Sequence, residues 1–367
     1  MSCSVAEMES PYPGILFRRF LDRDGRPVAP LPGFAQDGSA LLPLYRAMVL
    51  TRTFDEKAVA LQRTGRLGTY PSSLGQEAVT VGIGSAMRPD DVLLPSFREQ
   101  GAQLWRGVAM AELLLYWGGD ERGSNFAGPR EDFPICIPVA SHAPHAAGVA
   151  LAFKLRGEER VAVCVMGDGG TSKGDFYESL NLAGVWHLPV VFVINNNQWA
   201  ISVPRTAQTA AETLAQKGIA AGVEGIQVDG NDVIAVRDTV ERSLAKARSG
   251  GGSTLIEALT YRLGDHTTAD DASRYRDDAT VSEHWKDEPV GRLRRYLTQL
   301  GAWTRDAEER LFADCRVRVE QAVADYLAMP TKGPAAMFDH LYAVLPDDLA
   351  GQRAASIRAA IRDDGDA

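Results

Sequence analysis

Residues 161–199 read VAVCVMGDGGTSKGDFYESLNLAGVWHLPVVFVINNNQW: two apolar runs, each ending abruptly in glycines or amides, with a helix-length segment between them. Uncharged and rich in β-branched residues, 161–166 predicts a strand buried on both faces, and 189–195 predicts a second. The intervening 176–186 predicts a helix. A strand, a helix and a strand in immediate succession make a parallel βαβ unit. Downstream the pattern continues, with helices predicted over 207–221 and 232–248 and strands over 225–228 and 254–261. Upstream, small residues over 140–152 suit a helix lying close against a sheet, and helical spacing recurs over 40–63, 76–87, 100–106 and 109–117. The alternation predicts an α/β fold, a three-layer, doubly wound and mostly parallel sheet covered on both faces. An N-terminal arm and C-terminal helices flank it. Residues 1–39, with Pro11, Pro13, Pro27, Pro30 and Pro32, read as an extended arm. The α/β domain is expected over 40–281, including a polar loop at 264–279, and a helical extension over 282–367, of which 282–329 reads as two amphipathic helices.

With 367 residues, 24% charged and 45% hydrophobic, the composition is that of a globular chain with ample core. Its formal net charge of -9 and the lack of any long basic block argue against nucleic acid or an anionic membrane surface as partner. Cys3, Cys136, Cys164 and Cys315 are far apart and form no metal-binding spacing. The first fourteen residues contain acids and no apolar run of leader length, so a cytoplasmic protein is expected. The apolar run 188–194 is far too short to span a bilayer.

Ligands of doubly wound sheets bind beyond the carboxyl ends of the strands. The first strand of the quoted stretch ends in Gly167-Asp168-Gly169-Gly170, where glycines let a backbone approach a phosphate. Asp168 would repel that phosphate unless a divalent cation lay between them. The second strand ends in Asn195-Asn196-Asn197-Gln198-Trp199, where Asn197 offers a neutral oxygen and the turn adds a backbone carbonyl at Trp199. Either turn alone is commonplace; the pair, each directly after a buried strand, points to a Mg²⁺-phosphate site.

The Gly-Asp-Gly turn followed by Asn196-Asn197 matches the thiamine diphosphate motif. The whole stretch GDGGTSKGDFYESLNLAGVWHLPVVFVINNNQWAISVP resembles the alpha subunit of two-subunit 2-oxo acid dehydrogenases, a likeness that runs from about residue 44 to about 345. That resemblance implies the thiamine diphosphate-binding fold, with Asp168, Asn197 and the Trp199 carbonyl as Mg²⁺ ligands and Gly167, Gly169 and Gly170 at the diphosphate. It also implies Phe97 and Arg98 (in LPSFREQG) at the cofactor, Arg98 on the diphosphate, and the backbone of Ile137 and Val139 near the aminopyrimidine. The segment YRLGDHTTADD, followed by SRYR, resembles the family's catalytic loop, so His266 is expected to face the reacting carbon and Arg262 to order the loop. A loop histidine can exchange protons near neutral pH.

Decarboxylation of a 2-oxo acid leaves electrons that no side chain stabilises well, so the cofactor supplies the sink. The chain has room for one α/β domain, so the glutamate that activates thiamine is expected from a separate beta subunit, in an alpha/beta heterotetramer. A dihydrolipoyl acyltransferase bearing the lipoyl group is the expected acceptor. Pyruvate is the favoured substrate because the stretches GDGGTSKGDFYESLN and TLAQKGIAAGVEGIQVDGNDVIAV resemble bacterial pyruvate-type subunits. The loop DHTTADDASRYR also resembles branched-chain 2-oxo acid subunits, and acetoin cleavage by a sister enzyme is a third reading.

Some positions depart from the family pattern. Asn195 stands where Arg is frequent, and Thr267 where kinase-regulated relatives carry Ser. His142 and His145 (in SHAPHAAG) either line a substrate channel or pack in a core or interface. A P-loop would need Gly-Lys-Ser/Thr where this chain has Ser172-Lys173-Gly174, and a nicotinamide Rossmann turn would need a third glycine. A non-catalytic assembly protein would have no need to keep Asp168, Asn197 and His266 together.

Overall fold

The computed structural model describes residues 7–9, 14–339 and 341–365. In chain order the strands are β1 (Glu7–Glu9), β2 (Leu16–Arg18), β3 (Val92–Leu94), β4 (Ala162–Gly167), β5 (Val190–Asn196), β6 (Trp199–Ala200), β7 (Val203–Pro204), β8 (Glu224–Asp229) and β9 (Thr254–Leu259). The helices are α1 (Leu41–Arg63), α2 (Glu77–Ala86), α3 (Gln100–Trp105), α4 (Met110–Trp117), α5 (Ala143–Arg156), α6 (Gly174–Val185), α7 (Arg205–Gln208), α8 (Val233–Arg248), α9 (Asp278–His284), α10 (Pro289–Gln299), α11 (Arg305–Leu327) and α12 (Asp347–Gly365).

The main sheet has the order β1-β2-β8-β9-β5-β4-β3. All its pairs are parallel except β1 with β2. Both quoted strands are central and buried along almost their whole length, which is why they lack the alternation of a half-exposed strand. Ala162, Cys164 and Met166 of β4 and Val190, Phe192 and Ile194 of β5 share one apolar cluster with α5 and α6. The opposite face is covered by α8, against which α2 packs. Gly82 allows that second pairing, since a Cβ there would lie 2.6 Å from a methyl of Val236.

The arm does more than lie across the domain. Its β2 extends the parallel sheet beside β8, in register Leu16↔Ile226 to Arg18↔Val228. Asp232, buried at the N-cap of α8, accepts from Ile234 N and Ala235 N and also from Phe20 N (2.8 Å) and Leu21 N (2.7 Å). One carboxylate thus caps a helix and fastens the arm.

The helix expected over 207–221 is not formed. Only α7 is helical at its start, and Ala215–Ala221 is a 3₁₀ turn. The amides of Leu214 and Ala215 donate to the buried carboxylate of Glu257, a tertiary contact that outcompetes a continuous helix. The short β3 lies outside every expected strand, and the terminal α12 falls within the helical extension expected over 282–367.

Contacts divide the chain after Val323. The second unit contains the end of α11, a 3₁₀ turn at Pro334–Met337 and α12, with an Arg353–Asp339 ion pair of 3.1 Å. Among the described residues no helix is long and apolar enough to cross a membrane.

Candidate functional site

Four neighbouring strands, β9, β5, β4 and β3, send their carboxyl ends to one side of the sheet, and the turns that follow enclose a cavity of about 700 Å³. It is lined by Gly167, Asp168, Gly169 and Gly170 after β4, and by Asn197 and Trp199 after β5. Phe97 and Arg98 follow β3, and His266 comes from the loop after β9. Ile137 and Val139 complete it from the segment before α5. The sequence-selected residues therefore meet at one place, with one exception. Arg262 is fully buried behind the wall and reaches His266 from there.

The turns after β4 and β5 touch each other. At Gly169 a Cβ would come within 2.7 Å of the Ala200 methyl, so glycine is required by protein packing on that side. At Gly167 a Cβ would meet nothing within 4 Å. The β5 turn is built from amides. Asn196 Oδ1 accepts from Gln198 N, Asn197 Oδ1 accepts from Trp199 N at 3.2 Å, and Gln198 sits at φ +73°. Asn197 Nδ2 donates to Gln76 Oε1, which fixes the orientation of that amide. Asp168 is nearly buried; burial holds its carboxyl above the usual range, opposed by the hydrogen bond from Gln208 Nε2 to Oδ2 (2.9 Å). The indole of Trp199 donates to Tyr261 and leans on Tyr275.

His266 lies between two cations. Arg98 donates to its Nδ1 (3.0 Å) and to its carbonyl (2.7 Å), and Arg262 approaches the same Nδ1 at 3.5 Å. Because a guanidinium only donates, Nδ1 must accept, and the neutral ring carries its proton on Nε2. Burial, then Arg98 and Arg262, push the imidazole down to about 4. Burial and the facing Arg262 in turn lower Arg98 to about 10. The loop is braced from within: Asp270 accepts from His266 N and from the Tyr275 hydroxyl, Tyr275 accepts from Arg262, and Arg276 donates to the carbonyls of Arg262, Leu263 and Gly264. Phe97 stands edge-on to the His266 ring, with centroids 6.1 Å apart.

A carboxylate, an amide oxygen and a nearby backbone carbonyl form a hard oxygen donor set suited to Mg²⁺. Among the described residues no group of three or more His, Cys, Asp or Glu is placed to hold a metal ion, so a metal here would take its other oxygens from amides, the backbone and the ligand. Buried amide nitrogens of Asn195 and Gln76, both residues of the cavity wall, have no partner among the described residues. Polar, glycine-rich and cationic on one wall and apolar on the other, the cavity fits a diphosphate joined to aromatic rings. Asn195, the residue at the position where Arg is frequent, accepts at Oδ1 from the Thr260 hydroxyl.

His142 and His145 are not in the cavity wall. His142 is buried with Nε2 2.7 Å from Val165 O, and exposed His145 turns to Ser141 O. Several supporting residues escaped sequence reading. Gln76 and Gln208 carry no local signal, being ordinary amides far from the motifs they serve. Asp270 and Tyr275 were inside the quoted loop but carried no assigned role.

The model of the dehydrogenase E1 component family matches residues 45–335. The pyruvate dehydrogenase E1 component subunit alpha of Staphylococcus aureus is 39% identical over 313 residues, 85% of each chain. The 3-methyl-2-oxobutanoate dehydrogenase subunit alpha of Mycobacterium tuberculosis is 42% identical over 311 residues, 84% of each. A pyruvate dehydrogenase E1 component subunit alpha from Acholeplasma laidlawii is 44% identical over 272 residues, 74% of this chain and 79% of that one. With the family model and these relatives spanning the strands and turns that build the cavity, the chain belongs to the dehydrogenase E1 component family, as the alpha subunit of a 2-oxo acid dehydrogenase.

Proposed function

We propose that this chain, with a beta subunit, catalyses the oxidative decarboxylation of pyruvate using thiamine diphosphate and Mg²⁺, and passes the acyl group to the lipoyl group of a dihydrolipoyl acyltransferase. The observation that carries this reading is the meeting of Asp168, Asn197, Trp199, Arg98 and His266 in one cavity at the carboxyl ends of parallel strands. Asp168 and Asn197 hold Mg²⁺ through side-chain oxygens and Trp199 through its carbonyl. Gly167, Gly169 and Gly170 let the backbone approach the diphosphate, and Arg98 balances its charge. The backbone of Ile137 and Val139 holds the aminopyrimidine. Bound thiamine diphosphate supplies the electron sink for the departure of carbon dioxide.

His266 acts as a neutral donor: its Nε2 proton serves the oxygen of the substrate carbonyl, while Arg98 and Arg262 fix the ring through Nδ1. Arg262 is a positioning residue, tied to Ile201 O and Tyr275. Phe97 and Trp117 make the apolar wall that keeps water from the reacting centre. The activating glutamate comes from the beta subunit, in an alpha/beta heterotetramer. In support, Ile137 (46% exposed) and Ile201 (55%) lie bare at the cavity rim.

A branched-chain substrate is the second reading, favoured by the M. tuberculosis relative and by the apolar wall of Phe97, Trp117, Ile137 and Val139. Carbon dioxide release and dye reduction by the co-expressed complex test the choice, with pyruvate against 3-methyl-2-oxobutanoate. Pyruvate is expected to show the higher kcat/KM. The reverse order assigns the branched-chain class, and inactivity with both despite bound cofactor moves acetoin cleavage forward.

A further inference from the structure

Glu257 is the one charged residue of the buried strand β9 and is 1% exposed. A buried charge survives there only if it is well hydrogen-bonded. Both oxygens are engaged: Oε1 accepts from Asn196 Nδ2 at 2.6 Å, and Oε2 accepts from Leu214 N (2.9 Å), Ala215 N (3.1 Å) and Gln227 Nε2 (3.0 Å). Four donors on two oxygens is a set that a carboxylate satisfies and an amide, with one acceptor atom, does not.

Two branches lead from this residue to the two turns of the cavity. On one, the Asn196 amide held by Glu257 accepts from Gln198 N, shaping the turn that presents Asn197 and Trp199. On the other, the captured amides of Leu214 and Ala215 place Lys217, whose buried Nζ donates to both the carbonyl and hydroxyl of Thr171 at 2.9 Å. The Thr171 hydroxyl in turn donates to the Asp168 carbonyl at 2.7 Å.

We propose that Glu257 is a positioning residue that sets the spacing of the Mg²⁺ ligands by joining the Asn197 turn to the Asp168 turn; the inference rests on the reading above that Asp168 and Asn197 hold the metal. In Glu257→Gln the amide oxygen can keep the three donors at Oε2, which leaves its NH₂ facing Asn196 Nδ2, donor against donor. Asn196→Asp supplies the missing acceptor. The double variant therefore restores the bond with the pair's charge unchanged.

The test is calorimetric titration of Mg²⁺ into the co-expressed alpha/beta complex with thiamine diphosphate present, with melting temperature and complex size as controls for folding. Glu257→Gln is expected to weaken Mg²⁺ about tenfold, the low end of what loss of a direct partner of a metal ligand costs, because it acts on Asn197 through the neighbouring Asn196. Asn196→Asp/Glu257→Gln is expected to recover most of the loss, which generic destabilisation would not. Lys217→Met, which cuts only the second branch and acts through Thr171 on the Asp168 backbone, is expected to weaken Mg²⁺ by up to about tenfold. Wild-type Mg²⁺ affinity in Glu257→Gln, or failure of the double variant to recover, overturns the proposal. Should Glu257→Gln not assemble, unchanged affinity in Lys217→Met overturns it instead. Asp168→Asn separates the two levels: if it too binds Mg²⁺ normally, the metal reading itself falls, whereas if only Asp168→Asn loses the metal, Glu257 alone is relieved of its role.

Discussion

At His266 the local electrostatics make a commitment that can be measured. Burial and two facing guanidiniums hold its imidazole at about 4 rather than the ordinary 6.5. The neutral form is favoured in the folded chain, which takes up this proton only as pH falls toward 4, whereas the unfolded chain takes it up near 6.5; stability is therefore lost progressively as pH falls from about 6.5 to about 4, and is unaffected by this group above that window. In the cofactor-free complex, the ring signals of His266 in histidine-labelled protein should still be those of a neutral imidazole at pH 5, read by NMR and assigned with His266→Gln; a titration midpoint near 6.5 would show that the cations do not act as described. A diphosphate beside Arg98 would offset that guanidinium and move the acid limit upward. Substitutions separate binding from turnover. Asp168→Ala is expected to abolish Mg²⁺-dependent cofactor binding in calorimetry, and His266→Ala to keep binding while lowering kcat by about 10²–10⁴. Retained affinity in the first variant would remove Asp168 from the metal site. Asp168, Asn197 and His266 were legible because each follows a strand end inside a recognisable run. Gln76, Gln208 and Glu257 were not, since their value comes from partners 121, 40 and 61 residues away.

Elements follow the same division between local and distant causes. β4, β5, α6 and α8 were readable because apolar runs, helical periodicity and the capping Asp232 all act within a few residues. The helix expected over 207–221 failed for a non-local reason, capture of its amides by Glu257 from another strand. The arm hid a strand for a related reason, because β2 needs the edge of β8 to form and its own sequence has little periodicity. Asp232 is the joint between arm and sheet, accepting four backbone amides while 1% exposed. Asp232→Ala removes a helix cap worth about 1 kcal/mol and leaves buried donors unmet at about 1–3 kcal/mol. The melting temperature of the complex is expected to fall by about 5 °C or more, and the arm to become protease-sensitive first. A variant melting like the wild type, with an equally resistant arm, would mean that β2 is held by its strand pairing alone.

On the scale of the molecule, the cavity wall is incomplete in a directional way. Asp168, Asn197, Arg98 and His266 on the polar wall are each held by hydrogen bonds within this chain, whereas Ile137, Val139 and Ile201 at the rim are roughly half exposed. A small-molecule site ordinarily buries most of its ligand, so one that shows half its apolar lining to solvent wants a second surface to close it. This reading makes the subunit alone a metal-and-diphosphate half-site. Its affinity for thiamine diphosphate with Mg²⁺ should trail that of the alpha/beta complex by at least about tenfold, the equivalent of a single lost charged hydrogen bond. The isolated chain should also bind a hydrophobic dye that the complex excludes, because the rim then faces water. Calorimetry on the chain with and without its beta subunit reads the first effect, and dye fluorescence the second. Equal affinity in both states would place the whole cofactor site within this chain, and the beta subunit would then be needed for chemistry rather than for binding.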